Sequence, residues 1–360
     1  MQNKKVYIIA EAGVNHNGNK EMAFRLVDGA VAAGADAIKF QTFKAKKLAS
    51  QHIGKAEYQI QNTGNNESQL TMLEALELPE SWHFELQSYA TAKGIDFLST
   101  AFDIDSLHFL ERLNMPFFKV PSGELTNAPL LWQFAKTGKP LIVSTGMATL
   151  SEVEQALAVI THGMNCKLPP QNRNEVWACW ADDDFRSKLM SHVTLLHCTS
   201  QYPTPWENVN LKAMDTLASA FHLPVGYSDH TEGTVVALAA VARGASIIEK
   251  HLTLDRSLPG PDHKASLEEE QFSQMVKDIR AVELALGHGR KTPQTCEQDT
   301  RSIARQYIVA AKALSRGQII EEDDLTTART GEGLEPSLLW ELIGTISKKN
   351  YQEGEIFLNS

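Results

Sequence analysis

Short apolar runs alternate with amphipathic stretches along most of this chain, and that alternation predicts its architecture. Eight runs of strand length end in polar residues: VYIIAE (6–11), AIKFQ (37–41), DFLST (96–100), FFKVPS (117–122), PLIVST (140–145), VTLLHCT (193–199), PVGYSD (224–229) and SIIEKH (246–251). Between them lie segments of helical periodicity such as MAFRLVDGAVAAG, ESWHFELQSYATAKG and TVVALAAVARG. Each closes on a glycine, the residue best suited to the left-handed turn after a helix. Eight strand–helix units over roughly 250 residues predict a (β/α)8 TIM barrel. A doubly wound sheet is the competitor, but it calls for a GxGxxG or GxxxxGK[ST] turn after a strand, and neither is found.

Two segments break the rhythm. Residues 43–78 form a long polar connection after the second strand, on the carboxyl side of the barrel, where a lid is expected. Residues 162–192, with LPPQNRN and ADDD, precede the sixth strand and are expected on the opposite face, away from any chemistry. The barrel is expected over 1–287. A polar linker over 288–300 follows, and a separate small domain over 301–360 has short strands and glycine turns. In that domain Ile319, Ile320 and Leu325 are expected in the core, and EEDD (321–324) as a solvated turn.

A formal charge of −10 argues against nucleic acid and anionic membranes as partners. An anionic substrate would then need local, identifiable cations. The four cysteines (Cys166, Cys179, Cys198, Cys296) form no CxxC pair, and neither a signal-peptide pattern nor a membrane-length apolar run stands out. A reduced cytoplasm with free thiols is the expectation.

The candidate chemistry lies at the strand ends. Glu11, Lys39 with Gln41, Thr100, Lys119 with Ser122, Ser144, Ser228 with Asp229 and His230, and His251 all fall there. Lys39 and Gln41 share parity and so face one side of their strand. An inward lysine is costly unless an anion meets it. Lys39 and Lys119, with Thr100, Ser122, Ser144 and Ser228, are expected to form a phosphate or carboxylate cradle. The structural alternative pairs each lysine with Glu11 or Glu124. His230 and His251 end consecutive strands, close enough to share one ion with open positions. Imidazole ligands disfavour magnesium and calcium, and the lack of thiolate argues against structural zinc, so manganese or another first-row divalent ion is expected, with cobalt or magnesium as the alternatives.

These same residues carry a family resemblance. AEAGVNHNG (10–18), KFQT (39–42), KVPSGE (119–124), STGM (144–147), HCTSQYPTP (197–205), GYSDHT (226–231), EKH (249–251) and PGPDH (259–263) resemble the sialic acid synthase family. The tail resembles the antifreeze-like (SAF, β-clip) domain of those enzymes. The resemblance implies a cytoplasmic transferase that condenses phosphoenolpyruvate with an open-chain N-acetylated mannose-type sugar, releasing phosphate. It implies His230 and His251 as metal ligands, and Lys39, Thr100, Lys119, Ser122, Ser144, Tyr202 and Ser228 around phosphoenolpyruvate. Glu11, Gln41, Glu124 and Asp262 would face the sugar and the reacting centre, with Glu124 rather than Glu11 activating water. A domain-swapped homodimer is implied, with Arg329 reaching the partner's sugar site. Thr330 stands where relatives usually carry proline.

N-acetylmannosamine, giving N-acetylneuraminate, is the leading expectation for the acceptor. The alternative is 2,4-diacetamido-2,4,6-trideoxymannose, giving N,N'-diacetyllegionaminate. A zinc aldolase would need a third histidine ligand on the same face, and a sugar-binding protein would leave the inward lysines and the histidine pair without a task. His83, His162 and His222 are expected to be packing or surface residues, whereas His16, just after the first strand, could reach the site.

Overall fold

The computed structural model describes residues 5–50, 53–63 and 68–358. Its chain divides into two compact units, Met1–His288 and Gly289–Ser360. In the first, strands β1 (Tyr7–Gly13), β2 (Ala37–Thr42), β3 (Asp96–Ala101), β4 (Phe118–Val120), β5 (Leu141–Ser144), β6 (Val193–His197), β7 (Val225–Asp229) and β8 (Ile247–His251) form one parallel sheet. Its order is β3-β2-β1-β8-β7-β6-β5-β4. The β1–β8 ladder joins the first strand to the last, and β3 lies beside β4 at the remaining seam. This is the expected eight-stranded barrel.

The strands are buried on both faces, which is why they read as apolar runs. Ile8, Ala10, Ile38, Phe40 and Ile248 are fully buried within the main hydrophobic core, to which the helices add Leu26, Leu86, Leu107, Phe134 and Phe272. Gly34, Gly94 and Gly244 adopt positive φ after their helices, as the glycine punctuation predicts.

The connection after β2 is not simply polar. It holds helices Ala45–Leu48, Glu57–Thr63 and Gln69–Leu76. Phe43, Met72 and Leu76 pack there with Val14 of the barrel in a small apolar cluster, because Met72 and Leu76 stand four residues apart on one helical face. The 162–192 segment folds into helices Arg173–Ala181, Asp183–Ser187 and Leu189–His192.

The second unit has an antiparallel pair, β9 (Gln306–Ala310) and β10 (Leu325–Arg329). Ile308, Leu314, Ile320, Leu325 and Phe357 form its core. Two expectations fail here. Ile319 is 61% exposed and Asp324 is buried, because Asp324 caps the Glu321 N–H and pairs with Lys312. The helix Gln298–Ala304 also occupies part of the sequence expected to be linker.

Candidate active site

The carboxyl ends of the barrel strands open into a cavity of about 470 Å³. Strand register brings its polar lining together. Across β8, β1 and β2, His251 pairs with Glu11 and Glu11 with Lys39. Gln41 stands opposite Thr100 on β3, and Ser228 opposite Glu249 on β8. Past Glu11 the β1 register shifts, and Gly13 follows with φ +51. A Cβ there would come within 3.3–3.4 Å of Glu11, His251 and Gln41, so glycine keeps the rim open at that point.

Four buried charges form the floor. Lys39 Nζ lies 2.6 Å from Glu11 and 3.6 Å from Glu249, and it donates to Thr100 Oγ1 at 2.9 Å. Lys119 Nζ lies 3.3 Å from the other oxygen of Glu249, which also accepts from Ser228 Oγ at 2.8 Å. Two ammonium groups and two carboxylates therefore balance in a water-poor site, the condition under which buried charge is tolerated. The structural alternative from the sequence is right about Glu11 and wrong about Glu124. Glu124 sits beyond β4 on the turn Ser122–Glu124 and accepts from Asn127 Nδ2 at 2.7 Å. The sequence reading missed Glu249. Its signal was parity: in IIEKH, an inward His251 requires an inward Glu249.

The two carboxyls of the floor differ electrically. Burial raises the Glu11 carboxyl, more than the adjacent Lys39 lowers it. Burial also opposes ionisation of Glu249, but Lys119, Lys39 and the Ser228 hydroxyl outweigh it and hold that carboxyl well below the usual range. Lys39 is raised because Glu11 and Glu249 together overcome its burial. Asp262, across the cavity, is pushed up to about 7 by burial.

His230 and His251 meet with ring centroids 5.6 Å apart. Burial lowers His230 to about 4, against the opposing pull of its bond to the Thr199 carbonyl. His251 is also held well below the usual imidazole range, by burial and then by His230, so both rings are neutral near pH 7. His230 Nδ1 donates to the Thr199 carbonyl at 2.7 Å, which fixes the tautomer and leaves Nε2 as the ligating atom. His251 Nδ1 is buried without a hydrogen-bond partner among the described residues, 3.9 Å from Asp262. Neutral imidazoles with available nitrogens suit a divalent first-row ion. The ring of Tyr202 lies over His230 at 4.1 Å.

Ser122, Ser144 and Ser200 complete one side. Gly146 N–H donates to Ser122 Oγ at 3.1 Å. A Cβ at Gly146 would lie 2.5 Å from Ser200 Oγ and 2.8 Å from Ser122 Oγ. The Ser144 hydroxyl is buried without a partner among the described residues. The segment after β2 contributes Phe43, Leu48, Met72, Leu73 and Leu76, with Phe102 after β3, as an apolar stretch of the lining, and Tyr58, Gln59 and Gln69 of the same segment also line the cavity.

Of the residues expected at the site, Glu11, Lys39, Gln41, Thr100, Lys119, Ser122, Glu124, Ser144, Tyr202, Ser228, His230, His251 and Asp262 line this one cavity, and the strand-end candidate Asp229 does not. Arg329 ends β10 in the second unit. His16 is not among the lining residues. It is fully buried, accepts from the Gly18 N–H at 3.0 Å and lies against Phe40. His83 is a packing residue bound to Thr42. No described residue of 162–192 lines the cavity. That side of the molecule has its own grouping of His162, Cys166 and Cys179, with ligand atoms within 4.8 Å of one another.

A nearly closed parallel barrel with ion-paired lysines, hydroxyls and two neutral imidazoles at its carboxyl rim has the arrangement of a barrel enzyme. The comparisons give the class its family. The chain belongs to the NeuB family of sialic acid synthases: residues 26–291 match the NeuB model and residues 305–360 the SAF domain. It is 46% identical to the N,N'-diacetyllegionaminic acid synthase of Campylobacter jejuni, over 98% of this chain and 99% of that protein. It is 44% identical to the enzyme of the same name from Legionella pneumophila, over 98% and 93%. Among solved structures, the N-acetylneuraminic acid synthetase of Leptospira borgpetersenii is similar at 32% identity and a TM-score of 0.69, covering 83% of this chain and 91% of that one. Among the described residues no helix is long and apolar enough to cross a membrane.

Proposed function

We propose that this chain condenses phosphoenolpyruvate with open-chain 2,4-diacetamido-2,4,6-trideoxymannose, forming N,N'-diacetyllegionaminate and phosphate. This replaces N-acetylmannosamine, the leading expectation from the sequence, with its alternative. The observation that carries the choice is the apolar wall of Phe43, Met72, Leu73 and Leu76. A methyl group at C6 and a second acetamido methyl lose little water against such a wall. A C6 hydroxyl would give up hydration against those apolar side chains. The names of the two relatives above 40% identity agree with it.

His230 and His251 would hold a divalent ion, manganese by the chemistry of the donor set, which when bound supplies Lewis-acid polarisation of the sugar aldehyde. The chain's own residues account for the rest. Lys39 and Lys119 meet the phosphate and carboxylate of phosphoenolpyruvate, and the free Ser144 hydroxyl and the Ser122–Gly146 corner add hydrogen bonds. Their charge is balanced by Glu11 and Glu249 before substrate arrives, so the site is formed in advance. Glu11, raised by burial, is suited to hold or release a proton near neutrality, as is Asp262. Glu249, held ionised, stabilises positive charge developing at C2 of the enol. Glu124, at the solvent side of the cavity, positions the water that adds there. Near-normal turnover in Glu124→Gln would remove it from that role. Asp262 and Gln41 face the sugar, and Arg329 is carried as the contribution of a partner subunit in a domain-swapped dimer.

The test is turnover with each sugar in competition, with phosphoenolpyruvate and manganese, reading product mass and phosphate. The trideoxy sugar should be consumed first. Preferential formation of N-acetylneuraminate would overturn the acceptor assignment and leave the chemistry standing.

A further inference from the structure

Behind the two histidines lies a charged pair that none of the steps above uses. Parity turns Ser228, Glu249 and both histidines inward, and it turns Asp229 and Lys250 outward, toward the helical layer. Yet Asp229, Lys250 and Thr231 are all fully buried. Lys250 Nζ donates to Asp229 Oδ2 at 2.9 Å and to the Thr231 carbonyl at 2.5 Å. The other oxygen of Asp229 accepts from the Thr231 N–H at 2.9 Å and its hydroxyl at 2.8 Å. One ammonium group therefore holds the residues immediately before and after His230, and it belongs to the residue immediately before His251.

The backbone cannot do this. The β7–β8 ladder ends at the pair Asp229–Lys250, so His230 lies beyond the last registered residue. On the β6 side, Thr204 N–H reaches the His230 carbonyl at 2.8 Å. On the β8 side, the tie past the end of the ladder is the Lys250 side chain. A buried ion pair is a poor source of stability compared with apolar residues of the same shape, but it fixes register and position well.

We infer that Asp229 and Lys250 are positioning residues that set the spacing of the His230 and His251 imidazoles, and through it the affinity for the divalent ion. The inference rests on the reading of those histidines as metal ligands.

The test uses the full-length protein stripped of metal, with Mn2+ binding followed by the electron paramagnetic resonance signal of the free ion. Asp229→Asn with Lys250→Met keeps an acceptor for Thr231 and the aliphatic stem, removes both charges together and leaves neither orphaned. Mn2+ affinity should fall at least about ten-fold, while the melting temperature and phosphoenolpyruvate binding change little. Wild-type Mn2+ affinity in the folded double variant would overturn the positioning role alone. Failure of the wild type to bind Mn2+ more tightly than His230→Ala would overturn the ligand reading and this inference with it. Should the double variant not fold, Asp229→Asn alone decides, since it keeps an acceptor for Lys250 and Thr231 but removes the charge that holds the ammonium group: a loss of about two- to five-fold supports the role, and an unchanged affinity removes it.

Discussion

The two walls of the cavity are built on opposite terms. The floor is made by strand ends, where register fixes Glu11, Lys39 and Glu249 within ion-pair distance of one another. The upper wall is made by short helices after β2, whose apolar side chains converge on Phe43. A barrel rim can hold four buried charges because each is matched and the backbone around it cannot shift. A connecting segment can exchange one side chain for another without disturbing that balance. On the proposed function, the comparison assigns the reaction to the strands and the choice of acceptor to the connection.

The largest expected effect breaks the floor. Lys119→Met removes one cation and leaves Glu249 with Lys39 alone. The kcat/KM for phosphoenolpyruvate should fall about 10³-fold, roughly 4 kcal/mol of transition-state stabilisation. Steady-state kinetics at saturating sugar would check it, and a loss below ten-fold would show that Lys119 does not meet the substrate.

A second effect probes the cavity through pH. Asp262 holds its proton to about 7 in the folded state, whereas an unfolded aspartate releases it near 4. Between those values the native state binds more protons than the unfolded one, so stability falls as pH rises and levels off above 7. Asp262→Asn removes that penalty. In metal-free protein the variant should be more stable than wild type at pH 8, by no more than about 4 kcal/mol, and the gap should close toward pH 4. Urea unfolding at several pH values measures it, and a gap that widens on acidification would reverse the sign.

The smallest expected effect sharpens the upper wall. Leu73→Asn places an amide where the proposal needs an apolar surface. The KM for the trideoxy sugar should rise about ten-fold, or roughly 1.4 kcal/mol, with kcat/KM for phosphoenolpyruvate nearly unchanged. Relative activity with N-acetylmannosamine should increase. If both sugars lose activity equally, the wall does not discriminate between them.

Much of the floor was legible because parallel strands buried on both faces write themselves as apolar runs, and a lysine inside such a run is conspicuous. Lys39, Lys119, His230 and His251 stand out this way. Glu249 and Lys250 are equally placed, but in EKH they read with His251 as one polar strand end. The apolar wall was harder to read. Met72 and Leu76 are diluted among polar residues, and only the fold of the connection shows that they meet Phe43 and Val14. The pairing of Asp229 with Lys250 needed the register of two strands separated by a helix, which no local pattern contains.

The division of labour between floor and wall is tested most directly by crossing two variants with two substrates. The kcat/KM for phosphoenolpyruvate and for the trideoxy sugar should be measured in wild type, Lys119→Met, Leu73→Asn and the double variant. The expected result is that Leu73→Asn moves the sugar value and spares phosphoenolpyruvate, and that the two substitutions add in free energy. Equal losses for both substrates in Leu73→Asn, or strong coupling between the substitutions, would contradict it.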